Sequence, residues 1–164
     1  MSNDTQTDVI YPDLLELCQK AVPAVEDILA SARDLVALKV TIDGRVSGKA
    51  VEQEQFASHG LSWLATYVES LRQMSAWAQN LKADGRLGEM ESLILQIGFG
   101  EYLSQIRGGI PMSQGEIVRL HDLGVDDLSA LDNSAVVTLS NGNTDGARKR
   151  LVALMLERDG VATF

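Results

Sequence analysis

The chain has 164 residues, 45% of them hydrophobic and 23% charged, with a formal net charge of -9. Those proportions belong to a globular chain long enough to bury a core, not to a disordered one. The acid surplus argues against nucleic acid, whose phosphate backbone calls for concentrated Lys and Arg, and against docking on an anionic membrane leaflet. Cys18 is the sole cysteine, which rules out an internal disulfide and a cysteine-type zinc site. Leu15, Leu17 and Val22 around it make it a small buried hydrophobe.

In chain order, residues 1–10 read as a flexible acidic tail. It has neither the basic start nor the apolar run of a secretory signal. No apolar stretch approaches the roughly 20 residues of a membrane span, so the expected location is cytoplasmic. Residues 11–164 read as a single all-helical domain, an antiparallel bundle of about five to seven helices with long central helices and shorter C-terminal ones.

The first helix begins near Pro12 and carries Leu14, Leu15, Cys18 and Val22 at helical spacing. Pro23 then removes a backbone donor, so either a second helix starts there or one long helix kinks. Residues 40–47 read as a helix-to-helix loop, although Asp43-Gly44 between β-branched residues is also a hairpin signal. Ser47 is placed to cap a long helix bearing Phe56, Trp63, Leu64, Tyr67, Val68, Leu71, Met74, Trp77, Ala78 and Leu81, closed by Asp84-Gly85.

The connection to the next helix is so short that the two must be antiparallel neighbours. That next helix, from about Leu87 to Arg107, is apolar nearly all round and should lie centrally or form an interface. Gly98 and Gly100 within it predict close approach of a neighbouring element, and Gly108 is the expected cap. Ser113 to Glu116 has the pattern of a capping box with Met112 and Ile117 as its staple, predicting a short helix through about His121. Short amphipathic pieces follow around Leu128, Leu131 and Val136. Asn141-Gly142-Asn143 is a turn, and Asn143 or Thr144 caps a last helix through Arg158.

No residue is assigned a catalytic, cofactor-binding or metal-binding role. His59 and His121, the only histidines, share no ligand spacing. His59 reads as a packing residue with one satisfied nitrogen, His121 as a helix C-terminal residue favoured by the dipole. Glu101 lies in an apolar stretch, where burial would make it a general base; the structural reading has it paired with Arg107 or turned outward. Ser62, Ser70 and Ser104 lack a His–Asp arrangement, and neither glycine cluster has the remaining residues of a nucleotide-binding loop. Arg148, Lys149 and Arg150, the one basic cluster, read as a solvated helix face, with contact to an acidic partner as the alternative.

Two runs are less generic. His59-Gly60-Leu61-Ser62-Trp63-Leu64-Ala65-Thr66-Tyr67-Val68-Glu69-Ser70-Leu71-Arg72-Gln73-Met74 resembles the N-terminal helical extension of the methylsuccinyl-CoA dehydrogenase branch of the acyl-CoA dehydrogenase family. So do 99–106, from Phe99-Gly100-Glu101-Tyr102 to Gln105-Ile106, and 108–117, from Gly108-Gly109-Ile110-Pro111 to Gly115-Glu116-Ile117. The resemblance runs from about the first helix to Val161-Ala162-Thr163-Phe164. It implies an enzyme of the bacterial ethylmalonyl-CoA pathway that holds FAD, oxidises an acyl-CoA to its enoyl-CoA and passes electrons to electron-transfer flavoprotein. It also implies that the flavin contacts, the catalytic glutamate and the CoA-binding helices belong to a dehydrogenase body beginning just past Phe164. On that reading this chain binds no cofactor alone and packs on the body or on a neighbouring subunit. The alternatives are an independent helical module, dimerising through the Trp63, Tyr67 and Trp77 helix or acting as a regulatory partner, and a small enzyme with Glu101 as base.

Overall fold

A computed structural model describes residues 9–158, and among them six α-helices form the all-α bundle that the periodicity predicts. The first, α1, spans Leu14–Val40 without a break at Pro23. Pro23 sits on the exposed side of the helix. Its buried stripe runs from Leu14 through Cys18, Val25 and Ile28 to Val36. Of the acidic tail, residues 1–8 lie outside the described residues, while Val9 and Ile10 pack against the apolar clusters of the fold.

The loop expected after α1 is instead a hairpin. Strand β1 (Thr41–Ile42) pairs antiparallel with β2 (Arg45–Val46) across Asp43-Gly44. Both turn residues have positive φ, 52° and 74°, the backbone that the Asp-Gly pair favours and that matches strand twist. Anchorage between two helices lets so short a ribbon persist.

Ser47 caps as expected, its hydroxyl accepting from the Ala50 amide at 3.3 Å. The helix that it starts, α2 (Gly48–Gln53), is short and ends at Glu54, and the long α3 (Gln55–Ala83) follows. Helix α4 (Glu89–Gly108) runs back along α3 after the tight turn at Gly85 and packs between α3, α5 (Ser134–Ser140) and α6 (Asp145–Glu157). Its central place follows from its apolar character on all sides. The glycine that ends α4 is Gly109, with φ 137°, and not Gly108, which is the last helical residue.

The predicted capping box and short helix do not form. Strand β3 (Ile110–Pro111) pairs with β4 (Ile117–Val118), and the Met112 amide donates to the Glu116 carbonyl at 2.7 Å. Gln114 and Gly115 at the tip have φ of 62° and 80°, which no right-handed helix start accommodates. Tertiary packing decides the outcome. Ile110, Met112, Val118 and Leu120 are buried, while Pro111, Ile117 and Arg119 are exposed, a period of two that a ribbon satisfies and a helix does not. His121 consequently lies in a 3-10 turn, Leu120–Leu123.

Asn133 caps α5 by accepting from the Ala135 amide, and Thr144 rather than Asn143 caps α6, accepting from Ala147 at 3.0 Å. The main core draws on α1, α3, α4, α5 and the loops between them. A second, smaller cluster of Met90, Leu93, Ala147 and Leu154 lies between α4 and α6.

Candidate functional site

The possible nucleophiles are occupied by backbone bonds. Ser62 donates to the Ser58 carbonyl at 3.2 Å, Ser70 to Thr66 at 2.8 Å, and Ser104 to Ser140 at 3.1 Å. None is hydrogen-bonded to a histidine. The indole N–H of Trp63 donates to His59 Nε2 at 3.0 Å, with the rings edge to face, so His59 has one satisfied nitrogen on an exposed turn of α3. That bond requires Nε2 to be unprotonated. His121 is exposed and meets the neighbouring Asp122 carboxylate at 3.3 Å, in the 3-10 turn Leu120–Leu123 and not at the end of the expected α-helix. Cys18 is fully buried, and desolvation pushes its thiol up to about 12, which makes it an inert packing residue at neutral pH.

Glu101 is exposed and holds together a polar chain instead of serving as a buried base. The Tyr67 hydroxyl donates to Gln105 Oε1, and the Gln105 amide donates to Glu101 Oε1. Asn143 Nδ2 donates to Glu101 Oε2 at 2.7 Å, and Arg148 donates to Asn143 Oδ1 at 3.0 Å. The chain crosses from α3 over α4 to the turn before α6. Tyr67 also stacks on Tyr102, with ring centroids 4.6 Å apart. Burial is the main influence raising the Tyr67 phenol above its ordinary value, with Tyr102 and Glu101 adding to it. The expected partner of Glu101, Arg107, binds the Leu131 carbonyl and Asp132 instead, at 2.6 and 2.8 Å.

The basic cluster is partnered within the chain. Lys149 pairs with Asp145 at 2.7 Å, and Arg150 grips both oxygens of Glu89 at 2.6 and 2.7 Å and reaches Glu157. The glycines act as spacers. A Cβ on Gly100 would stand 2.7 Å from the Asn143 amide nitrogen and 3.0 Å from the Leu139 carbonyl, and one on Gly98 would strike the end of Met74.

Two clefts of about 670 and 690 Å³ open on the surface. One lies between the start of α1 and the α3–α4 turn, the other between the start of α3 and the β3–β4 tip. Ser58 Oγ, beside the second, is buried without a hydrogen-bond partner. Among the described residues no group of three or more His, Cys, Asp or Glu side chains converges, and no helix is long and apolar enough to cross a membrane. The residues that sequence reasoning missed are Gln96 and the Glu89–Arg150 pair. A lone glutamine between Leu95 and Ile97 was the available sign of the first; the second, 61 positions apart, left none.

What these side chains build is a packed helical scaffold tied by polar links between helices. No protein-family model matches the chain. It is 58% identical over 152 residues to (2S)-methylsuccinyl-CoA dehydrogenase of Cereibacter sphaeroides, a match that covers 93% of this chain and 28% of that protein. The resemblance to methylsuccinyl-CoA dehydrogenase is thereby borne out. The chain spans little more than a quarter of the length of the curated relative it matches.

Proposed function

We propose that this chain is the N-terminal helical domain of an FAD-dependent acyl-CoA dehydrogenase. The domain itself is non-catalytic and packs in the cytoplasm on the dehydrogenase body or on a neighbouring subunit. One observation carries the reading: nearly the whole chain matches little more than a quarter of a named dehydrogenase. The occupied serines, the outward Glu101 and the partnered basic cluster support the division of labour, because they leave acyl-CoA oxidation to residues elsewhere. FAD, the acyl-CoA and the electron acceptor then belong to the body.

An antibody raised to the domain, used to blot the source cells, tests this directly. The expected band is far larger than 17.8 kDa, and the purified protein is yellow and bleached by an acyl-CoA. A native band at 17.8 kDa sinks the reading. The rival, an independent dimerisation module built on α3, draws no support from the face that it would use. Tyr67 is buried, and Trp63 and Trp77 pack against the chain's own core.

A further inference from the structure

Among the described residues, helix α6 packs chiefly against α4. Its buried residues are Ala147 and Leu154, which close the small cluster with Met90 and Leu93 of α4. Val152, Met155 and Leu156 remain exposed by 54%, 44% and 74%. Their i, i+3, i+4 spacing puts them on one stripe, roughly half a turn around the helix from Leu154. A helix resting on a core with water beyond it carries polar residues on its far side. An adjacent trio of large apolar side chains on the C-terminal half of that side departs from the pattern.

We propose that the Val152–Met155–Leu156 face of α6 is where the dehydrogenase body docks, an inference that rests on the function proposed above. Nearly three quarters of the Cereibacter relative lies outside the match, which is polypeptide enough to cover the stripe. A second copy of this chain is the poorer occupant, since each copy carries a net charge of -9 and two copies repel. Another exposed apolar group, Leu38, Ile42 and Val46, makes a poorer seat. Ile42 and Val46 are diagonal neighbours in the β1–β2 register and so point to opposite faces of the ribbon, among Lys39, Asp43 and Arg45.

Maleimide labelling of the native polypeptide tests the assignment, with peptide mapping to read each site. Leu156→Cys and Leu38→Cys make a matched pair, at 74% and 78% exposure, and neither removes a core contact; Val152→Cys repeats the first. Each rate is divided by its rate in urea. The Leu38→Cys site should react at close to its unfolded rate and the Leu156→Cys site at least ten-fold more slowly. Equal rates at the two sites, or protection at Leu38→Cys alone, overturn the docking face and leave the domain's function standing. Protection of Leu156→Cys that vanishes on dilution assigns the stripe to a second copy and overturns it too. A native polypeptide of 17.8 kDa defeats the function and the docking face together, so the two failures are told apart by the blot.

Discussion

Gln96 sits in the middle of α4 with 1% of its surface exposed, yet it ties that helix to two other parts of the chain, the segment before α1 and the turn before α6. Its amide donates to the Val9 carbonyl at 2.8 Å and to the Gly142 carbonyl at 3.2 Å, and its oxygen accepts from the Tyr11 amide at 2.8 Å. It supplies hydrogen bonds to backbone that no helix or strand completes. Gln96→Leu keeps the volume and strands those groups, so the expected loss is about 2–4 kcal/mol in urea unfolding. The two glycines one turn along α4 should separate in the same assay. Gly100→Ala pushes a methyl against backbone atoms of Asn143 and Leu139 that cannot step aside, and should cost about 1–3 kcal/mol after the gain in helix propensity. Gly98→Ala meets the flexible end of Met74, so a propensity gain of up to about 1 kcal/mol offsets the contact and stability should hold or rise. A similar loss at both positions would mean that the α4–α5 approach is not what selects glycine at Gly100.

At the scale of elements, the long helices were legible because their apolar stripes repeat over many turns. Leu14 to Val36 and Leu64 to Leu81 each bury a continuous face. The first ribbon was legible only as the alternative that Asp43-Gly44 offered, and the second was not. Ser113 and Glu116 have capping-box chemistry, but the alternation from Ile110 to Leu120 spans the turn and buries four large side chains, which outweighs one cap. Reading that alternation before the cap would have found the hairpin. The attachment of α6 makes a pH prediction of the same scale. The Arg150 guanidinium beside Glu89 holds its carboxyl below the usual range, against the opposing effect of burial. A carboxyl lowered in the folded state stabilises fully above its unfolded value, and that stabilisation is lost as pH falls through the folded one. Amides of α6, corrected for intrinsic exchange, should therefore lose protection in acid before those of α3. Glu89→Gln should show the weaker protection already at neutral pH, with little further acid loss. Unchanged α6 protection in that variant would mean that Leu154 and Ala147 alone hold the helix.

Across the whole molecule the two apolar clusters are unequal. The main one unites α1, α3, α4 and α5, and the other rests on four buried side chains, two of them on α6. The site was less legible than the fold for a related reason: packing surfaces carry no fixed spacing of chemical groups, so only resemblance across nearly the whole chain pointed to a dehydrogenase. Local stability follows buried apolar contact. Helix α6 should thus open at the lowest free energy of the helices longer than ten residues, with native-state exchange giving it protection at least ten-fold below that of α1, α3 and α4. Leu154→Ala, which removes the larger of its two buried anchors, should cost about 2–4 kcal/mol, lost first in α6. If the proposed body seats on Val152, Met155 and Leu156, the longer polypeptide should narrow the gap, because the contact adds buried area to this helix. An α6 already as protected as α3 in the isolated chain would show that the small cluster suffices, and the exposed stripe would then do nothing for stability.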